Sequence, residues 1–357
     1  MAPWTTYHIQ PKPGAGFHFG LRGLEGEVSG AHCPSDTLFA ALIATLAGLE
    51  GTVGVTAFVT PFANGQPPFL LTSVFPRAGD LSLFPLPHAR LELTPQPGQR
   101  KLFKKLCYVS PVILRRILNR RPLDDYVGAG KKGVFLQEGQ VWIAAEETAK
   151  LPEGWNGNRL REQKVWDHTP VDRVAVDRVS SASNVYRIGR TVYASECGLW
   201  FGVQWPGDPD AAWQTQLETL LAHLGDTGLG GERSVGYGQF TYCRATGGLD
   251  LPAATPGAPA LTLSRYLPAA DELPTALRGA ASYRLEAVPG WLNAPGQRAQ
   301  RRKQVRMLVE GAVFQPVGPR PWGRLADARP VGWEAHPIWR YGYACPVGVR
   351  PQEVHHA

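Results

Sequence analysis

Five glycines, Gly228, Gly230, Gly231, Gly236 and Gly238, fall within eleven positions, after one amphipathic segment and before an alternating one. No other stretch restricts the chain as much. Glycine reaches positive φ and admits another backbone, or a ligand, where a Cβ would not fit. The loop leaves a helix rather than opening one, and no Gly-Lys-Ser/Thr follows, so neither a P-loop nor a dinucleotide fingerprint is present. What the run can form is a concave nest of N–H groups suited to an anion. Arg233 adds a fixed charge and a fork of donors matched to phosphate, with Ser234 beside it. Tyr237 offers a ring to an unpaired base. A tight turn that needs glycine only for its shape has the same sequence.

Around this loop the chain alternates strands and helices. Residues 5–9 read as a strand. Ser35-Asp36-Thr37 then opens a helix with Leu38, Leu42, Leu46 and Leu49 on one face, and Ser35 or Asp36 is placed to accept its first free N–H groups. Residues 53–61 and 68–75 read as strands bounded by proline and glycine. Ser110-Pro111 starts a short helix, with serine as cap and proline at the first helical position. The β-branched, arginine-rich stretch 166–201 suggests an extended ribbon turning near Gly189. Trp213, Leu217, Leu220 and Leu224 give a second long helix, ending at Gly225, and Phe240 and Tyr242 alternate as in a strand. Pro252, Pro256 and Pro259 mark a linker. Strand-like pieces follow at 282–288, 305–314 and 338–344.

This order predicts an α+β chain. Residues 1–246 form a ferredoxin-like (RRM-like) domain with a basic insertion at about 99–133 and a ribbon at about 166–200. A proline-rich linker follows at 247–259, then a smaller, mostly β, degenerate ferredoxin-like domain at 260–357.

The net charge of +7 favours polyanionic partners. Residues 100–132 hold ten basic side chains opposed only by Asp124 and Asp125, a local net of +8. That block either tracks a nucleic-acid backbone, with Phe103, Tyr108 and Tyr126 interleaved for stacking, or is a solvated or partner-facing surface. A second cluster, Arg298, Arg301, Arg302, Lys303 and Arg306, reads as a solvated face. Cys33, Cys107, Cys197, Cys243 and Cys345 show no C-x-x-C spacing, and buried reduced thiols are expected. The first ten residues lack the order of a signal peptide, and no run of roughly 18 apolar residues is read in the sequence; a soluble cytoplasmic protein is expected.

No set of residues converges on catalysis. No histidine stands at metal-ligand spacing with an acidic partner, so neither metal nor cofactor is expected. Asp124-Asp125 and Glu146-Glu147 are adjacent pairs whose side chains diverge. His8, His18 and His32 flank the first strand and helix, where a general base acting on a ribose hydroxyl would be placed.

At the loop a family enters. Gly228-Leu229-Gly230-Gly231-Glu232-Arg233-Ser234-Val235-Gly236-Tyr237-Gly238-Gln239-Phe240 resembles the G-x-G-G-x-R-S-x-G-Y-G-x-F loop of the RAMP proteins of CRISPR systems. Four further segments, in order, resemble one branch, the fourth subunit of the type III-A Csm complex. Ser35-Asp36-Thr37-Leu38-Phe39-Ala40-Ala41-Leu42 matches S-D-T-L-F-x-A-L. Val176-Asp177-Arg178-Val179-Ser180 resembles I-D-R-x-T, with Val185-Tyr186 after it. Met307-Leu308-Val309-Glu310-Gly311-Ala312-Val313-Phe314 resembles M-L-x-E-G-S-x-F, and Tyr341-Gly342-Tyr343-Ala344 resembles Y-G-x-A/F.

The resemblance implies a Cas5-like fold with a β-hairpin thumb and a non-catalytic role. The subunit would hold the 5′ tag of the crRNA and dock onto the large polymerase-like signature subunit and the first backbone RAMP subunit, with target RNA near the thumb and no membrane. Within that frame Gly228 to Gly238 would cradle tag phosphates, with Arg233 pairing to one. The helix N-terminus at Ser35 would offer a second phosphate site, and Arg178, Arg187 and Arg190 on the thumb would touch the tag or the guide–target duplex. Two alternatives stand beside this. One is a Cas6-like, metal-independent endoribonuclease processing crRNA precursors, with His18 or His32 as base; the other is the equivalent capping subunit of a type III-B or III-D complex.

Overall fold

Eight consecutive residues, Cys197–Gln204 (sequence CGLWFGVQ), are all buried, as an apolar run at the centre of a sheet should be. The computed structural model describes residues 3–351, apart from 24–25, 95–98, 129, 177–182, 280, 289, 293–299 and 320. Six of its elements build the unit around that strand: β1 (Trp4–Pro11), α1 (Ser35–Ala63), β2 (Phe75–Ala78), β3 (Cys197–Gln204), α2 (Ala211–Thr227) and β4 (Phe240–Arg244). The sheet order is β4-β1-β3-β2, antiparallel throughout, with Tyr7 opposite both Phe201 and Arg244. α1 and α2 pack together, joined by Phe58 edge-on to Trp213 at 5.4 Å.

α1 departs from expectation. Residues 53–61 are helix, not strand, although Thr52, Val53, Val55, Thr56, Val59 and Thr60 are β-branched. Burial decides it: Phe58, Val59 and Phe62 face the core beside Phe39 and Phe69. Thr56 and Thr60 donate their hydroxyls to the carbonyls four residues back. The helix is long and apolar enough to cross a bilayer, so the expectation that no such stretch exists was wrong. Gly51, at φ 64°, breaks its regularity in the middle. Leu38, Phe39, Leu42, Leu46, Phe58 and Phe62 lie within the main core, as in the inner helix of a globular protein.

The ribbon consists of Trp166–Val176 and Ser183–Tyr193 in antiparallel register, Trp166 opposite Tyr193 and Val176 opposite Ser183. Gly189 pairs with Pro170 in mid-ladder, so the chain does not turn there as expected; residues 177–182 lie outside the described residues. The basic insertion forms a separate four-stranded sheet, Phe84–Pro85, Tyr108–Val109, Val141–Ala144 and Gly133–Leu136, with the helix Pro111–Leu118 against it. Ser110 precedes that helix as expected, but its hydroxyl accepts from Ala144, and Glu147 takes the Val112 N–H instead. Asp210 caps α2, accepting from Ala212 and Trp213, and the helix runs past Gly225 to Thr227.

The C-terminal part is β-rich. Leu285–Val288 pairs with Val305–Leu308, and Trp339–Tyr343 pairs with Gly323–Asp327. The stretch around Pro252 is packed: Leu251 is buried, and the carbonyls of Pro252 and Pro259 accept from Gly348 and Val349. One core runs through both halves, because Leu261, Leu263, Val313, Tyr341 and Val347 join the residues of the first sheet. Strand Trp339–Tyr343 lies over α1: Tyr343 donates to the Phe62 carbonyl, and Tyr341 accepts from Leu71 N. Cys33, Cys197 and Cys345 are buried, but Cys107 and Cys243 are exposed, against expectation; all five are free thiols.

Candidate nucleic-acid interface

Most of the glycine loop's amides point inward. Gly228 N donates to Leu224 O, Leu229 N to Gly238 O, Gly231 N to His18 O, and Gly238 N to Gly16 O. The glycines are needed for those approaches. A Cβ on Gly228 would stand 2.3 Å from Tyr237 O, one on Gly230 2.6 Å from His18 O, and one on Gly238 2.2 Å from Leu229 O. Hence the wide nest expected over 228–238 is not formed: the two ends of the loop are knotted to each other and to residues 16–18. Its tip is different. Arg233, Ser234, Val235 and Gly236 are exposed, and among the described residues no backbone acceptor takes the N–H of Glu232, Arg233 or Ser234.

Tyr237 is 7% exposed, with the guanidinium carbons of Arg173 and Arg190 each 5.6 Å from its ring centroid. Its ring is already enclosed, so it is not the open stacking platform the sequence suggested. Arg190 also donates to the Gly14 carbonyl. Arg187 lies on the opposite face of the ribbon and pairs with Asp172 at 2.9 Å. Arg178 lies outside the described residues. The structure therefore brings Arg190, Tyr237 and the Arg233–Ser234 tip to one region, and leaves Arg187 apart. Arg173 was missed by sequence reasoning. Its signal is the ladder register, which puts it on the same face as Arg190 and cannot be read without the position of the turn.

Ser35 is corrected outright. It is fully buried, its N–H donates to Ser73 Oγ at 2.8 Å, and its own Oγ accepts from Arg265 N at 3.0 Å. Neither Ser35 nor Asp36 caps α1; Pro34 occupies the cap position, without a side-chain bond. Asp36, 1% exposed, pairs with Arg340 at 2.8 Å. The helix N-terminus is thus sealed by the C-terminal part and offers no phosphate site. Next to it, Glu310 accepts from Ser73 Oγ at 2.5 Å and pairs with Arg265 at 3.2 Å. His32 Nε2 stands 3.7 Å from its second oxygen, an ion-pair distance rather than a hydrogen bond. Burial pushes the Glu310 carboxyl up, but the Arg265 charge, with His32 and Ser73, holds it well below the usual carboxylate range. Gly311, at φ 84°, brings this corner against Leu86 of the insertion, where a Cβ would meet the carbonyl at 2.6 Å.

Of the two histidines proposed as bases, His18 is buried and His32 is partly exposed, and each ring is bonded within the fold. His18 is 5% exposed with Nδ1 2.8 Å from Gly189 O, and His32 Nδ1 is 2.8 Å from Tyr108 Oη. Burial lowers the His8 pKa, helped by Arg77. Among the described residues no three His, Cys, Asp or Glu side chains converge as metal ligands.

Part of the basic block is spent on its own scaffold. Arg115 pairs with Asp250, Arg120 with Glu92 and Lys131 with Asp125, while Arg116 lies over the Tyr126 ring at 4.7 Å. Tyr108 and Tyr126 are buried, and Phe103 packs on Trp142, so the interleaved aromatics do not face out. Lys101, Lys104, Lys105, Arg121 and Lys132 remain exposed. In the second cluster Arg298 lies outside the described residues. Arg302 is half-buried there, and burial, with Arg340 nearby, pushes its guanidinium down to about 10.

Residues 256–349 match the family model described as the CRISPR Csm4 C-terminal domain. The chain is 27% identical over 334 residues to the CRISPR system Cms protein Csm4 of Mycobacterium tuberculosis (strain CDC 1551 / Oshkosh), covering 92% of this chain and 93% of that one. It is 23% identical over 326 residues to its namesake from Thermococcus onnurineus (strain NA1), covering 89% and 92%. Among solved structures it resembles a chain of the Csm3-Csm4 subcomplex of a type III-A CRISPR-Cas interference complex, with a TM-score of 0.66 and 16% identity over 97% of this chain and all of the other. It also resembles a chain of a Csm1-Csm4 cassette in complex with pppApA, with a TM-score of 0.56 and 18% identity over 98% and 100%. The Glu310-Gly311 and Tyr341-Gly342 segments fall inside the matched C-terminal region, and the knotted loop and sealed helix complete the picture upstream. Residues 256–349 thus carry the Csm4 C-terminal domain, and over nearly its whole length the chain is similar in sequence and fold to Csm4 proteins.

Proposed function

We propose that this subunit is a non-catalytic RNA-binding cap that holds the 5′ tag of the crRNA and docks the large signature subunit and the first backbone RAMP subunit. The observation that carries it is the exposed Arg233–Ser234 tip. It presents a charge and unspent N–H groups beside a ribbon foot bearing two further arginines. An arginine fork and free backbone donors recognise phosphate without reading sequence. The β4-β1-β3-β2 order, with both helices in the β-α-β-β-α-β succession, supports a ferredoxin-like reading of the central unit. The ribbon would be the thumb, with 247–259 and 260–357 as linker and C-terminal domain. Docking is supported by the resemblance to chains solved with Csm3 and with Csm1. A non-catalytic role is supported by the burial of His18 and by the hydrogen bond between His32 Nδ1 and Tyr108 Oη.

The test is retention of guide RNA by the purified complex over a salt series. Arg233→Ala should weaken it by about 1–3 kcal/mol, as expected for one charge-assisted contact. Unchanged retention at every salt concentration would remove the tip from the interface.

A further inference from the structure

In the ribbon ladder Arg173 stands opposite Tyr186, and Arg190 opposite Thr169. Directly opposed residues share a face and successive residues alternate, so both arginines lie on one face with the Val171–Ile188 pair between them. Their side chains nonetheless converge on one point, the Tyr237 ring, at 5.6 Å each. The Nε of each is buried without a hydrogen bond. Asp172, the neighbouring acid, is engaged by Arg187 on the other face. Among the described residues no carboxylate forms an ion pair with Arg173 or Arg190. Two like charges gathered around one ring without a counter-charge raise each other's energy, and an anion entering between them reverses that.

We propose that Arg173 and Arg190, framed by Tyr237, form a seat for one phosphodiester group of single-stranded RNA at the foot of the ribbon. This rests on the RNA-binding reading above and shifts its centre. The glycine loop acts by placing Tyr237, whose face orients the two guanidinium planes. The arginines, with N–H donors along their edges, make the contact. Arg173 is then a binding residue, and the knotting of Gly228 and Gly238 has a purpose beyond loop shape. It fixes the ring against which the cations are set.

The experiment titrates a short fluorescently labelled single-stranded RNA into the full-length chain over a range of salt. Arg173→Gln should lower affinity by about tenfold, the loss of one charge-assisted contact. It should also flatten the slope of log K against log salt by about 0.7, the value for one phosphate on a single strand. Tyr237→Phe, which keeps the ring, should bind like wild type, whereas Tyr237→Leu should resemble Arg173→Gln. A purely structural role for Arg173 would move the unfolding midpoint and leave the salt slope unchanged, and that result overturns the seat. If Arg233→Ala weakens binding while Arg173→Gln alters neither affinity nor slope, the seat is wrong and the RNA reading stands. If wild type binds no RNA even at low salt, both fall. ATP serves as competitor: displacement of the RNA at matched phosphate concentration reassigns the seat to a free nucleotide.

Discussion

At the Glu310 junction charges from distant parts of the chain meet and neutralise one another, whereas at the ribbon foot they meet and do not. Glu310 and Arg265, each about 6% exposed, bind each other and Ser73, and Asp36 pairs with Arg340 close by. Arg173 and Arg190 share an aromatic ring and, among the described residues, pair with no acid. Both places draw on the segments that mark the family, so the motifs have two kinds of purpose. Ser35, Asp36, Glu310 and Gly311 lock the C-terminal part onto the first helix and the insertion. Arg233 stays exposed at the loop tip, and Tyr237 lies beneath two ribbon arginines. A charged residue in a motif is therefore no guide to the interface until its partner is known.

The largest effect should come from breaking the neutral side of this contrast. Glu310→Ala leaves Arg265 buried with only the half-exposed Glu286 to answer it, and should cost about 3–5 kcal/mol in denaturant unfolding. RNA affinity per folded molecule should be unaffected. A loss below about 1 kcal/mol would show that the junction is not an interdependent buried pair. The same carboxylate sets an acid limb. Its folded pKa lies below its unfolded value, so the unfolded state takes up more protons on acidification. Its contribution is complete above about pH 4.3, the ordinary glutamate value, and is lost as pH falls toward the depressed one. Glu310→Gln should flatten that limb of the stability–pH profile, and an unchanged limb would assign it to other carboxylates.

The central unit was legible because its signals are local. The apolar face of α1, the period of α2 and the alternation of β4 each lie within a few turns of chain. What failed depended on distant partners. Residues 53–61 carry strand propensity and fold as helix because Phe58 and Phe62 find aromatic neighbours from Phe69 to Trp213. Ser35 reads as a cap, yet Arg265, some 230 residues away in sequence, claims its hydroxyl. The site was half legible for the same reason. The glycines and Arg233 are contiguous, while Arg173 joins them only through a ladder register that no local pattern specifies.

A smaller effect separates the two jobs of the loop itself. Gly238 and Gly236 both have positive φ, 81° and 86°, so alanine strains the backbone at each by about 1–2 kcal/mol. Only at Gly238 would the new Cβ also collide with backbone, at 2.2 Å from Leu229 O, whereas nothing lies within 4 Å of one at Gly236. Gly238→Ala should therefore destabilise the chain by more than strain alone and, by moving Tyr237, weaken RNA binding too. Gly236→Ala should cost about 1 kcal/mol in unfolding and leave affinity near wild type, because the ring and both ribbon arginines stay in place. Equal losses of affinity in the two variants would mean that RNA lies against the bare tip rather than against the arginines behind it. The contrast between loop and ribbon would then be drawn in the wrong place.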